Sequence, residues 1–157
     1  MKMMIEMEVE GIALDPDNNM PVVILKSKRE QKSLPIWIGI FEASAIALKL
    51  GGVQSPRPLT HDLLKSVIEK LNAKVLRICI NDLRNNTFYA KILLQTPKKK
   101  LNIDCRPSDA IALALRTNSP IFVKEDVISG MGKRKDKEDL KSLLQSLKKE
   151  DFGKYEM

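Results

Sequence analysis

Polar and apolar residues alternate along much of the first third of the chain. From Met3 to Leu14 the side chains of Met3, Ile5, Met7 and Val9 fall on one side, with Glu6, Glu8 and Glu10 on the other. That is the period of a half-buried strand. The run DPDNN, Asp15 to Asn19, is a turn by composition. Pro21 to Lys28 then supplies a second apolar run, so the two segments predict a hairpin. After a charged turn from Lys28 to Ser33, LPIWIG at Leu34 to Gly39 has the short apolar character of a central strand. Phe41 to Leu50, FEASAIALKL, predicts a helix that is apolar nearly all round, ended by Gly51-Gly52. In the next segment Leu63, Leu64, Val67, Ile68 and Leu71 recur with helical spacing, with Thr60 as the expected N-cap.

The second half repeats this grammar. Lys74 to Asp82 reads as a strand, Asn85-Asn86 as a turn, and Thr87 to Thr96 as the hairpin partner. On the first of these, Val75, Arg77 and Cys79 are expected to face away from Leu76, Ile78 and Ile80. The turn PKKK, Pro97 to Lys100, leads to a strand ending at Cys105 and a helix from Pro107, where proline suits a first helical turn. From Ala110 to Leu115 every side chain is apolar, so this helix should be buried. AIALAL at Ala110 to Leu115 echoes AIALKL at Ala45 to Leu50, and a Ser-Pro pair follows each, which raises a duplicated strand–helix unit. PIFV, Pro120 to Val123, gives a last short strand. Gly130 to Lys137 reads as a charged linker, and Leu140, Leu143, Leu144 and Leu147 mark an amphipathic helix before a polar tail.

The expectation is an α+β fold: about seven strands in one or two mixed sheets, two buried helices, one amphipathic helix and a C-terminal helix. One domain over residues 1–128 should carry it, with residues 129–157 as linker, helix and tail. Aromatics are only 4% of the 157 residues, so the core must be aliphatic. Few aromatics also argue against a general stacking platform for single strands. The net charge of +7 favours an acidic partner, nucleic acid ahead of a membrane surface. Cys79 and Cys105 read as buried thiols of a reducing, cytoplasmic compartment, without metal-site spacing. No apolar run is long enough to span a bilayer. The leucine stripe and the two apolar helices suggest a homodimer.

Most catalytic signatures are missing. The chain has no Walker loop, GxGxxG, GxSxG, HExxH or zinc cluster, and its single histidine, His61, accompanies no nucleophile motif. What remains is a set of carboxylates next to basic residues at element ends: Glu42, Asp62, Asp82, Asp104 and Asp109, with Arg57, Arg106 and His61. Asp104, Arg106, Ser108 and Asp109 surround the start of the buried helix, where anions bind readily. His61 and Asp62 begin another helix, and Pro56 and Pro58 stiffen the loop presenting Arg57. Asp104 and Asp109 are the expected ligands of a divalent metal, Mg2+ or Mn2+, which clamps a phosphodiester and activates water. Arg57, Arg106 and Ser108 are expected to bind substrate, and His61, Asp62, Asp104 and Asp109 to act in catalysis. The structural alternative is that Arg106 and the helix N-terminus simply satisfy the carboxylates.

Taken together, LPIWIGIFEASAIALKL, PRPLTHDLL, TFYAKI and IDCRPSDAIALALR followed by PIFV resemble the bifunctional nucleases of bacteria and plants. The similarity runs in order over about residues 1–128, and the terminal EDFGKY resembles endings in that family. The resemblance implies a mixed α/β domain and a nuclease acting on DNA and RNA. It assigns no catalytic residues. Some members add a UVR-type C-terminal segment, which the short tail here does not clearly match. The rival readings are a non-catalytic nucleic-acid or protein-binding module and an enzyme acting on a small anion.

Overall fold

The structure, a computed structural model, describes residues 3–132. The expected C-terminal leucine stripe and tail lie outside them. The chain forms β1 (Met4–Leu14), β2 (Pro21–Ser27), β3 (Ser33–Trp37), α1 (Ile40–Leu50) and α2 (Thr60–Lys70). Then come β4 (Lys74–Arg84), β5 (Thr87–Gln95), β6 (Lys100–Cys105), α3 (Pro107–Thr117), β7 (Ile121–Lys124) and α4 (Glu125–Gly132). The fold is α+β.

All seven strands join one sheet in the order β3-β2-β1-β7-β4-β5-β6. Every pairing is antiparallel except β4 with β7. The architecture therefore repeats: a three-stranded meander followed by a helix (β1-β2-β3-α1) and again (β4-β5-β6-α3), with β7 inserted between the meanders. The echo between the two Ala/Leu helices thus coincides with a larger repeated unit than a strand and a helix. Asn85 and Asn86 both take positive φ, 49° and 65°, the conformation that a two-residue hairpin turn demands.

α3 packs between α1 and α2 and lies over β4 and β5. Its Ala110 to Ala114 are all buried, as the unbroken apolar run predicts. Ile78, Ile80, Ala90, Ile92 and Val123 meet it from the sheet within one aliphatic core. Two details depart from simple alternation. Register shifts at Val9/Gly11 and Val75/Arg77 reset which side chains point inward. Val75 is consequently buried with Ile78 and Ile80, while Leu76 is not. The helix α4 is the second departure, because it runs to Gly132 where a linker from Gly130 was expected. Its Glu125 and Asp126 suit a helix start, and Val127 is buried.

Candidate functional site

Two helix N-termini meet where α1 packs on α3. Gly39 precedes α1 with extended backbone and provides no side-chain cap. Glu42, in the first turn, folds back over this glycine; a Cβ at position 39 would collide with Glu42 Oε2. The other oxygen, Oε1, accepts from Arg106 Nη1 at 2.7 Å. Arg106 is the N-cap residue of α3, and its Nε donates to Asp109 Oδ2 at 2.9 Å in the following turn. Asp109 Oδ1 lies 2.9 Å from His61 Nε2 in the first turn of α2. Glu42, Arg106, Asp109 and His61 therefore form one continuous polar chain across three helices.

Electrostatics set the protonation along it. Burial pushes the Asp109 carboxyl up, but the Arg106 and His61 contacts outweigh that and hold it below the usual aspartate range. Its Asp109 hydrogen bond and charge raise Arg106. An ionised carboxylate only accepts, so in this contact His61 Nε2–H is the donor. The guanidinium of Arg106 has five N–H groups, of which the two carboxylates engage two. Its side chain is 64% exposed, so the remaining donors face solvent.

A second, buried hub supports the first. Arg116, near the end of α3, is only 4% exposed at its side chain. Its Nε donates to Asp62 Oδ1 at 2.7 Å, Nη1 to the Ala112 carbonyl at 3.0 Å and Nη2 to the Ala45 carbonyl at 3.1 Å. One guanidinium thus ties α1, α2 and α3 together. Asp62 Oδ2 also accepts the Leu59 N–H at 2.9 Å, so Asp62 caps α2 and Thr60 does not. Burial raises the Asp62 carboxyl, yet that backbone bond and Arg116 bring its net pKa below normal.

The sequence-expected residues are distributed as follows. His61, Arg106 and Asp109 come together directly, and Asp62 adjoins them through its helix and Arg116. Arg57 stands exposed in the loop before α2, and among the described residues no hydrogen bond or ion pair links it to the chain. Asp104 is exposed on β6, opposite Lys91 in register, and none links it to Asp109. Ser108, expected to bind substrate, is buried to 6% exposure, one residue inside the helix that Arg106 precedes as N-cap residue. Among the described residues no group of three His, Cys, Asp or Glu side chains could hold a metal ion. Asp109 accepts one contact at each oxygen, from His61 and from Arg106. The donor set as folded does not fit a preformed metal centre.

Arg116 is the member that sequence reasoning did not place in the site; Glu42 stood among the carboxylates at element ends but was given no role there. Glu42 stood in an apolar helix directly after Phe41. Arg116 was the one charge ending an apolar run, a pattern that demands a buried acceptor.

Residues 23–136 match the bifunctional nuclease domain. The chain belongs to the bifunctional nuclease domain family. The matched span of this domain begins inside β2 and includes Glu42, His61, Asp62, Arg106, Asp109 and Arg116. An uncharacterized protein of Mycobacterium tuberculosis is 42% identical over 127 residues, covering 81% of this chain and 76% of that protein. Bifunctional nuclease 1 of Oryza sativa subsp. japonica is 25% identical over 115 residues, 70% of this chain and 34% of that protein. Bifunctional nuclease 1 of Arabidopsis thaliana is 25% identical over 119 residues, with 73% and 36% covered. The chain thus spans about a third of the plant proteins. No helix among the described residues is long and apolar enough to cross a membrane.

Proposed function

We propose that this domain is a nuclease that hydrolyses phosphodiester bonds in DNA or RNA, with the Glu42–Arg106–Asp109–His61 chain as its site. The observation that carries the reading is Arg106. Two carboxylates fix this guanidinium beside two helix N-termini while most of its donors stay in solvent. That combination suits a phosphate oxygen, which the free N–H groups can bind as a fork without losing either carboxylate. The names of the plant relatives point to the same chemistry. In this reading Arg106 holds the scissile phosphate and offsets the charge that builds on it. His61, oriented through Nε2 by Asp109, takes a proton from the attacking water at Nδ1 and returns it to the leaving oxygen. The P–O bond to the leaving nucleotide breaks as the bond to water forms. Arg57 and Asp104 stand at the surface as further contacts, Arg57 to phosphate. A divalent ion, Mg2+ or Mn2+, would supply Lewis-acid help if carried in with substrate phosphates and one or two carboxylates.

One observation favours a second reading. His61 is only 8% exposed and the polar chain is internally satisfied, as suits a rigid binding module. Cleavage of labelled single-stranded RNA and DNA separates the two. Wild type, Arg106→Ala and His61→Ala, purified identically, are compared with and without chelator. Loss of cleavage in both variants supports the nuclease. Equal residual cleavage in all three preparations marks a contaminant and refutes it. A further proposal is that a second copy of the chain covers the exposed apolar residues of α2.

A further inference from the structure

Phe41 is 86% exposed, the highest value among the large exposed hydrophobic residues of the structure. Of the five described aromatics it alone is exposed; Trp37, Phe88, Tyr89 and Phe122 are half-buried. Trp37 donates its indole N–H to Asp15 Oδ2 at 2.8 Å, and Phe122 lies under the Arg77 guanidinium. The chain thus secures its other described rings against neighbours and leaves this one in water. Its position is specific. Phe41 lies in the first turn of α1, immediately before Glu42, whose carboxylate holds Arg106 at 2.7 Å. Exposing a phenyl ring costs hydrophobic free energy that a polar residue there would not.

We propose that Phe41 is a stacking platform for one unpaired base of the strand whose phosphate Arg106 receives, so the site takes single-stranded nucleic acid. This deepens the nuclease reading and rests on it. An aromatic face one residue from a phosphate-binding arrangement offers both halves of a nucleotide their partners: guanidinium for the phosphate and π-face for the base. Paired bases stacked inside a duplex cannot present a face to it. Ile40, 59% exposed, adds an apolar edge. The Phe41–Ile40 patch is two residues wide and directly precedes Glu42 in the first turn of α1, far smaller than a stable protein–protein interface. The net charge of +7 attracts the polyanion over neutral apolar partners.

The test is fluorescence anisotropy of the full chain with labelled oligothymidylate, the same strand carrying an abasic position, and a blunt hairpin duplex. Chelator is present, and strand integrity is verified on gels. Phe41→Ala should weaken single-strand binding by about ten- to a hundredfold and leave hairpin binding unchanged. Abasic substitution should cost the wild type affinity but not the variant, and Phe41→Trp should restore binding. A melting temperature equal to wild type shows that the exposed substitution leaves the fold intact. Single-strand affinity untouched by Phe41→Ala, an equal loss on strand and hairpin, or dissociation of an oligomer in its place overturns the stacking role. A wild-type chain that binds neither probe refutes the nuclease reading itself.

Discussion

Arg116 Nε donates to Asp62 Oδ1 at 2.7 Å across fifty-four positions of sequence, and the two ends of this bond sit in unequal surroundings. The arginine side chain is 4% exposed and the aspartate 39%. Water can therefore solvate Asp62 if its partner is lost, but not Arg116. Asp62→Ala should cost about 3 kcal/mol, because it strands a buried charge and removes the α2 cap. Arg116→Met should cost less, roughly 1–2 kcal/mol, since the methionine keeps much of the packing. Urea denaturation of the two variants checks the order. If Arg116→Met is the more destabilising, the hub acts through guanidinium packing and not through charge.

Gly39→Ala tests the other end of the polar chain. The backbone there is extended, φ −74° and ψ 160°, so alanine brings no conformational strain. Its Cβ instead displaces the Glu42 carboxylate and frees Arg106 Nη1. The expected outcome is a stability change within about 1 kcal/mol together with weaker strand binding. Glu42→Gln should reproduce the binding loss, and the double variant should add little, because both break the same contact. Additive losses would show that Gly39 acts independently of Glu42.

Much of this arrangement was legible before any coordinates. Period-two alternation located β1, and apolar runs located α1 and α3, because each element buries a face dictated by its own geometry. The Asn85-Asn86 turn followed from the need for positive φ. Hidden features were those fixed by tertiary contact. The register shift at Val75/Arg77 inverts an alternation that the sequence displays plainly. Asp104 and Asp109 fall on the expected strand end and helix start, but that Asp109 turns to Arg106 and His61 while Asp104 lies exposed depends on the packing of α2 against α3. Glu42 and Arg106 meet only because two helices distant in sequence pack together, and spacing carries no trace of that.

Acid sensitivity follows from the two depressed carboxyls. Burial raises both Asp109 and Asp62, but hydrogen bonds and cations bring each below the usual value of 3.8. A carboxyl with a lower pKa folded than unfolded binds more protons when unfolded. Its stabilisation is thus complete above the unfolded pKa and disappears as pH falls through the folded one. Denaturant midpoints should stay level down to about pH 5 and fall below pH 3.8. Asp109→Asn should lower the neutral-pH midpoint and flatten part of the acid decline. An unchanged acid limb in that variant would remove Asp109 from the account.

The two thiols should be inert while the chain is folded. Burial, then the charges of Asp104 and Asp109, push the Cys105 thiol up to about 12, and burial raises Cys79. Because the thiolate is the reactive form, a rise from 9.0 to about 12 slows alkylation of Cys105 about a thousandfold. Mass spectrometry after iodoacetamide treatment should find both cysteines unmodified in buffer and both modified in urea. Rapid labelling of Cys105 in buffer would mean that its strand end opens readily.

Self-association is the last expectation, and α2 decides it. Leu63, Leu64, Val67 and Leu71 follow one another down one side of this helix, and all four are exposed. At 100° per residue they fall within an arc of about 100°, with Leu71 at the C-cap, adjoining the buried His61 and Ile68. A second copy packing α2 against α2 would bury this stripe symmetrically. Each chain carries +7, so association should strengthen with added salt as repulsion is screened. Strand binding should weaken over the same range, because it releases counterions. Sedimentation at micromolar concentration should therefore give a dimer that Leu63→Lys with Leu71→Lys converts to a monomer. Both sites are exposed, so the melting temperature of the isolated domain should change little apart from the lost association. A wild-type monomer throughout the micromolar range, in low and high salt alike, would rule the dimer out and leave the α2 stripe as plain surface.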